Sequence, residues 1–387
     1  MISRRNIARL FRKALSDPGY AVRAFRQRLR GYVSYLRGDG RSAPPETVSL
    51  FLTFRCNLRC RMCGQWGPNG SAKGYSREML ESRLSRAEIG RLLEDLRRSR
   101  PNITLFGGEP LLHPEFAGIV ADVKAAGLRC NVITNAVLLE RFAEPLVAAG
   151  LDEIIFSLDG PREVHDAVRG VPGTFDRAMA GFEALRAAKA RAGRSRPRVN
   201  VTSVCFESSY LRLPELIPIA ESLGADSLTV HHLIFYDRAT YDRHNAEFER
   251  IFGTRCYDWE GFVVDELPGV DAEEVIRVRD EMRAARTRLA VSFYPNLTDE
   301  EIRTWYGGFG FRPTSYACRC KSPWMVAYVF PDGGVRPFHS MNFVAGTIRE
   351  ASFGEIWNNE AYRGYRRKVR EIGTFPVCSR CTELYRF

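Results

Sequence analysis

FLTFRCNLRCRMCGQW, residues 51–66, sets Cys56, Cys60 and Cys63 inside eight positions, directly behind a run that reads as a β-strand. Three thiolates at that spacing can converge on one centre, yet the loop offers no fourth ligand. A closed structural zinc site takes four, and His113 and Cys130 lie far along the chain in other surroundings. An iron-sulfur cluster of the [4Fe-4S] type also takes four, but three cysteines hold it when another group occupies the last iron. Thiols this closely spaced are seldom mere packing. The loop therefore predicts a metal centre with one open position, where a substrate or cofactor binds.

Working outward, the chain alternates from residue 45 on. Short β-rich runs at 47–54, 102–108, 129–135, 153–159, 198–206 and 226–235 are separated by helical stretches such as SRAEIGRLLEDLRRS, where Ser85 and Glu88 form a capping box. Several of the runs are apolar on both faces, the mark of buried parallel strands. Six such units predict an α/β fold, either a partial barrel or an open doubly wound sheet, with function at the carboxyl ends of the strands. The unusual residues gather on that rim. The cysteine loop follows the first strand, Gly107-Gly108-Glu109-Pro110 ends the second, Thr134-Asn135 the third, and Ser157-Leu158-Asp159-Gly160 the fourth. The glycines allow backbone to approach a ligand, Glu109 offers a carboxylate to a cation, and Ser157 and Asp159 suit a ribose diol.

With these features together, the chain resembles the radical S-adenosylmethionine (radical SAM) enzymes. Cys56, Cys60 and Cys63 match that superfamily's three-cysteine motif in spacing and in place. The resemblance implies a partial (β/α)6 barrel whose [4Fe-4S] cluster is completed by the amino and carboxylate groups of SAM. It implies further that Gly107, Gly108 and Glu109 bind the methionine ammonium, that Asn135, Ser157 and Asp159 line the cofactor site, and that Arg169 pairs with the carboxylate. One position departs from the pattern: the residue before the third cysteine, often aromatic, is Met62. The implied chemistry is reductive cleavage of SAM to a 5′-deoxyadenosyl radical that takes a hydrogen atom from substrate, with a flavodoxin or ferredoxin as reducing partner. Such a first step needs no general base, and no catalytic side chain is assigned.

The last seventy residues carry their own signal. From Cys318 to the C-terminus the chain resembles the SPASM or shorter twitch domain, which binds an auxiliary cluster, here expected to be a second [4Fe-4S]. The matching features are the leading cysteines, Pro-Trp, a hairpin turned at Asp332-Gly333-Gly334, the segment GTIREASFGEIWN, and Cys378 and Cys381. Where the family has cysteine in the hairpin, this chain has Phe338 and His339. Two ligand sets stay open: Cys318, Cys320, Cys378 and Cys381, or three of these with His339. Four thiolates in two pairs also describe zinc. Cys130, Cys205 and Cys256 read as unliganded.

Composition fills in the frame. With 387 residues, 45% of them hydrophobic, the chain has enough apolar residues for a substantial core. No apolar run reaches membrane-spanning length and no signal peptide is evident. Ten cysteines then fit a reducing cytoplasm and metal ligation better than disulfides. The net charge of +11 is concentrated in residues 1–38, with ten Arg and Lys against Asp17. Apolar residues there recur at helical spacing (Ile7, Leu10, Phe11; Val22, Phe25, Leu29, Val33). These basic amphipathic helices either lie on an anionic membrane surface or acidic partner, or pad the next domain. Basic residues without interleaved stacking aromatics argue against a nucleic-acid binder, and a non-catalytic iron-sulfur carrier has no use for the rim around Glu109. The expected organisation is a helical segment at 1–45, the radical SAM core at 46–236, a bridging, substrate-contacting segment at 237–317, and the cluster domain at 318–387. Tyr236, Tyr241, His244, Trp259 and Tyr306 are candidate substrate contacts. The substrate class expected is a sugar-like or lipid-linked small molecule undergoing oxidation, epimerisation or rearrangement. The alternative is a peptide or protein.

Overall fold

The computed structural model describes residues 18–387. The six expected strands form in order at Thr47–Phe51 (β1), Asn102–Phe106 (β2), Arg129–Thr134 (β3), Glu153–Ser157 (β4), Arg198–Cys205 (β5) and Ser227–His232 (β6). Each lies parallel beside the one before it, from Thr47 opposite Asn102 through to Cys205 opposite His232. All five residues of β1 are buried, as a strand covered on both faces requires. Helices such as Arg86–Leu96 and Phe116–Ala125 cover one face, burying Leu92, Leu93 and Leu96 of the first and Phe116, Ile119, Val120 and Val123 of the second. The Ser85 hydroxyl accepts from the Glu88 N–H and the Glu88 carboxylate accepts from the Ser85 N–H, so the capping box forms.

The sheet is larger than six strands. Ala290–Tyr294 (β7) adds parallel to β6. Val326–Val329 (β8) adds parallel to β1 on its other side, with Val326 opposite Thr47. Gly334–Arg336 (β9) turns back against β8, and Gly346–Thr347 (β10) completes the edge, giving one ten-stranded sheet in the order β10-β9-β8-β1-β2-β3-β4-β5-β6-β7. The hairpin turn works as expected: Gly333 sits at φ +84°, where a Cβ is unfavourable. The Asp332 carboxylate accepts from the Gly334 N–H at 2.8 Å. One sheet thus runs through the barrel core and into the C-terminal segment.

Between the carboxyl end of β1 and the C-terminal segment lies a second, aromatic core. Phe51 packs against Phe54, Phe106 and Phe330 with ring centroids 4.9–5.0 Å apart, and Tyr236, Trp259, Trp324 and Tyr365 belong to the same cluster. The residues expected to be substrate contacts are interior. Tyr236, Tyr241, His244, Trp259 and Tyr306 are all buried, and the Tyr236 hydroxyl donates to the Val377 carbonyl at 2.5 Å.

Of the two N-terminal helices expected, the first lies outside the described residues. The second runs Pro18–Arg37, and it docks by a face other than its apolar stripe. Tyr35 is buried edge-on to Trp324 at 4.9 Å, Arg28 pairs with Glu46 at 2.8 Å, and Gly31 approaches Met325 where a Cβ would sit 3.0 Å from its Cγ. The stripe of Val22, Phe25, Leu29 and Leu36 remains exposed, Phe25 by 67%. Padding of the next domain by that stripe is therefore ruled out. Among the described residues no helix is long and apolar enough to cross a membrane.

Candidate functional site

The cysteine loop leaves β1 at Leu52, whose N–H donates to the Phe106 carbonyl at 2.8 Å. It is then held by two neighbours. From one side come the glycines: the Gly108 N–H donates to the Thr53 carbonyl at 2.8 Å and the Glu109 N–H to the Arg55 carbonyl at 2.9 Å. A Cβ on Gly107 would lie 2.7 Å from the Thr53 oxygen, and one on Gly108 would lie 2.2 Å from the Arg55 oxygen. The close backbone approach expected of these glycines is thus made to the cysteine loop itself. From the other side comes the end of the helix Arg162–Arg169, where the Arg59 and Arg61 N–H groups donate to the carbonyls of Arg169 and Val168.

Each of the three sulfurs faces a donor. The Leu58 N–H points to Cys56 Sγ at 3.4 Å, the Trp66 N–H to Cys63 Sγ at 3.4 Å, and the Arg169 guanidinium to Cys60 Sγ at 3.6 Å. Donors aimed at sulfur stabilise the thiolate, the form that ligates iron. Burial pushes the Cys56 thiol up to about 12 against the pull of the Leu58 N–H, so an unmetallated loop holds thiols. Deprotonation then accompanies metal binding. The donor set fits a cluster, with residues 56, 60 and 63 as its seat.

Glu109 is fully buried, and its carboxylate accepts from the Leu111 N–H (3.1 Å), the Thr134 hydroxyl (2.7 Å) and the Asn135 N–H (2.9 Å). Asn135 in turn donates from its side chain to Asn57 Oδ1 at 2.9 Å, tying the third strand's end to the cysteine loop. These fixed oxygens keep lone pairs for one more donor, which suits an ammonium group. Asp159 differs from expectation. It is wholly buried, with Oδ2 paired to Arg169 at 2.7 Å and Oδ1 accepting from the Val204 N–H at 3.1 Å. Both its oxygens are thus engaged, Oδ2 holding Arg169 beside Cys60 and Oδ1 tied to the backbone of β5. Arg169 likewise serves the loop, pushed above its ordinary range by Asp159 and Cys60 in spite of burial. Ser157, at the end of β4, is half-buried.

At the C-terminal end, Cys320, Cys378 and Cys381 line one cavity with Phe338, Met341 and Tyr365. Cys318 is exposed, outside that wall. His339 is half-buried, with Nδ1 against Ser340 Oγ at 2.8 Å and its ring against Tyr328 and Phe106, also outside the wall. Neither expected fourth ligand reaches the cavity, whereas Phe338, which stands in the family's cysteine position, does. Among the described residues no three His, Cys, Asp or Glu side chains converge closely enough for one metal ion.

Comparison with known proteins agrees with this geometry. Residues 50–206 match the model of the radical SAM superfamily, and residues 318–382 that of SPASM, an iron-sulfur cluster-binding domain. The AdoMet-dependent heme synthase of Methanosarcina barkeri is 28% identical over 341 residues, spanning 86% of this chain and 88% of the relative. The PqqA peptide cyclase of Xanthomonas axonopodis pv. citri is 27% identical over 333 residues, 84% of this chain and 77% of the relative. In fold, the chain resembles Streptococcus suis SuiB bound to precursor peptide SuiA, with a TM-score of 0.60 and 14% identity over 88% of this chain and 71% of that one. The chain belongs to the radical SAM superfamily. It is a radical SAM enzyme with a C-terminal SPASM domain, and its cofactors are SAM, a [4Fe-4S] cluster and an auxiliary cluster.

Sequence reading missed Asn57, whose side chain joins Asn135 to the loop. Its place inside the three-cysteine motif was the available signal. It also missed the pairing of Asp159 with Arg169, residues ten positions apart that only the turn into helix Arg162–Arg169 brings together.

Proposed function

We propose that the enzyme oxidises an anionic, carboxylate-bearing substrate of tetrapyrrole type by hydrogen-atom abstraction, with the C-terminal cluster accepting the remaining electron. The observation that carries this reading is an open cavity of about 490 Å³ on the barrel rim, lined by Thr53, Arg55, Arg83, His113, Arg349 and Glu81 among others, the Glu81 carboxylate being paired with Arg77 at 2.8 Å. Its volume is that of a small-molecule site. Arg349 is paired with Glu88 at 2.7 Å, while Arg55 and Arg83 form no ion pair with a described residue. Guanidinium groups in such a setting suit carboxylates, which they bind two oxygens at a time. Likeness to the M. barkeri heme synthase over most of both chains supports the same class. No relative compared acts, by its name, on a sugar or lipid, and that expectation is set aside.

When bound, the Cys56–Cys60–Cys63 cluster and SAM supply a 5′-deoxyadenosyl radical, with a flavodoxin- or ferredoxin-type protein as electron donor. The chain's own residues do the positioning. Glu109 holds the ammonium of SAM, Asn135 and Asn57 fix the loop beside it, and Asp159 and Arg169 brace Cys60. Phe51, Phe54 and Phe330 share one buried cluster with Cys378 and Cys381, which keeps water from that side of the C-terminal cysteines. The likeness to the PqqA peptide cyclase favours a second reading, a peptide substrate. Separately, the exposed stripe on Pro18–Arg37 with its arginines suits an anionic membrane or acidic partner, for which co-sedimentation with anionic vesicles is the assay.

The test is anaerobic titration of the reconstituted enzyme with an iron porphyrin bearing propionate groups. The Arg55→Ala, Arg83→Ala double variant is expected to bind it at least about tenfold more weakly, the loss of one or two charge-assisted contacts. The wild type is expected to form one 5′-deoxyadenosine for each hydrogen removed. Equal binding by the double variant, or turnover of a peptide with no porphyrin binding, would refute the tetrapyrrole reading.

A further inference from the structure

The C-terminal cavity presents the thiols of Cys320, Cys378 and Cys381, and the hairpin position that would complete a four-thiol set is filled by the Phe338 ring. A further thiol lies just behind the wall. Cys256 comes from the bridging segment, is wholly buried, and holds its Sγ 3.7 Å from Met341 Sδ. Met341 is itself part of the wall. Cys256, Met341, Tyr365, Cys378 and Cys381 belong to one buried cluster, with Cys320 packed against it.

The bridging segment is stitched to this spot. The Cys256 N–H donates to Asn245 Oδ1 at 2.7 Å, and the Asp258 N–H to Asn342 Oδ1 at 3.1 Å. Asn342 Nδ2 returns a bond to Asp258 Oδ2 at 2.7 Å, so both sides of Cys256 are fixed next to Met341. Trp259 stacks on Phe338 at 5.8 Å and 27°, which ties the same segment to the residue standing in the missing cysteine's place. The Cys256 sulfur touches Met341, whose side chain belongs to the cavity wall. Methionine is unbranched, with three rotatable side-chain bonds, and repacks at low cost.

We propose that Cys256 is the fourth ligand of the auxiliary cluster, reaching it as Met341 turns aside, and that the cluster is fully thiolate-ligated by Cys256, Cys320, Cys378 and Cys381. The assignment rests on the auxiliary cluster itself and is independent of the substrate. It makes Cys318, exposed at the surface, a free thiol, and it makes His339 a packing residue between Phe106 and Tyr328. The bridging segment then has a defined task, supplying a ligand in place of the hairpin.

The test uses the full chain with Cys56, Cys60 and Cys63 changed to alanine, reconstituted anaerobically so that iron is held at the C-terminal site alone. This parent is expected to hold about four irons, with a reduced EPR spectrum that does not respond to cyanide, because no iron is open. Adding Cys256→Ser is expected to lower the iron content or to make the spectrum cyanide-responsive. Adding Cys318→Ser or His339→Ala is expected to change neither. A Cys256→Ser protein indistinguishable from the parent, a cyanide-responsive parent, or loss of the closed cluster in Cys318→Ser or His339→Ala would each overturn the assignment. Should Cys256→Ser not fold, the other three proteins decide: a closed cluster in all of them leaves Cys256 as the remaining ligand. A parent without iron would refute the auxiliary cluster as well as its ligand.

Discussion

Glu109 concentrates the chemistry of the rim into one carboxyl group. Burial pushes it up to about 7, against the hydrogen bonds from Asn135, Thr134 and Leu111 that pull it down. Its folded value therefore lies above the ordinary carboxylate range, and the group is neutral over part of the pH range in which the enzyme is handled. A neutral acid cannot pair with an ammonium. SAM affinity is accordingly expected to fall as pH drops from about 8 to about 6, approaching tenfold per unit below the Glu109 value, as followed by equilibrium dialysis on reconstituted protein. Glu109→Gln is expected to bind more weakly and to lose this pH dependence. An affinity that is flat with pH in the wild type would remove Glu109 from the ammonium site. Glu109 was legible in the sequence because Gly107 and Gly108 flag the turn that carries it. The inward fate of Asp159 was not legible, because Arg169 was expected to meet the SAM carboxylate and only the turn into its helix brings it to Asp159.

At the scale of elements, the helix Arg86–Leu96 shows how a local motif fastens distant segments. Glu88 caps its own helix through Ser85 and also pairs with Arg349 beyond the hairpin. Burial, which opposes ionisation, is outweighed by these partners, and the carboxyl is held down at about 2. A depressed folded value means that the contribution is complete above the unfolded value of the group and is lost as pH falls through about 2. Ser85→Ala is therefore expected to cost about 1 kcal/mol, equally near pH 6 and near pH 8, seen as a lowered apparent Tm. A penalty that grows between those two pH values would mean another group is involved. The six parallel strands and this cap were legible from period and capping residues. β7 was not: LAVSFY alternates only weakly and sits directly behind a charged helix. Nor was the pairing of β8 with β1, since a parallel contact across 279 positions (Thr47 with Val326) leaves no local pattern. Cys256 reads as unliganded in the sequence for a similar reason, lying among Arg255, Tyr257 and Asp258, far from any other cysteine.

For the molecule as a whole, the continuous sheet makes the two cysteine groups parts of one body. β1 has β2 on one side and β8 on the other, and every residue of it is buried. A chain ending at residue 317 would expose that strand as an apolar edge, a template for unwanted pairing. Such a truncated protein is expected to aggregate on expression, whereas an independently folded core would stay monomeric by gel filtration. The same neighbour relation reaches further. The loop bearing Cys56 leaves the end of β1, and Cys320 precedes β8, the strand hydrogen-bonded beside it. The gap between the two groups is accordingly spanned by a rigid ladder, with no tether that swings. An electron passing between centres held at the two groups would tunnel across a gap of fixed length, so its rate would differ little from molecule to molecule.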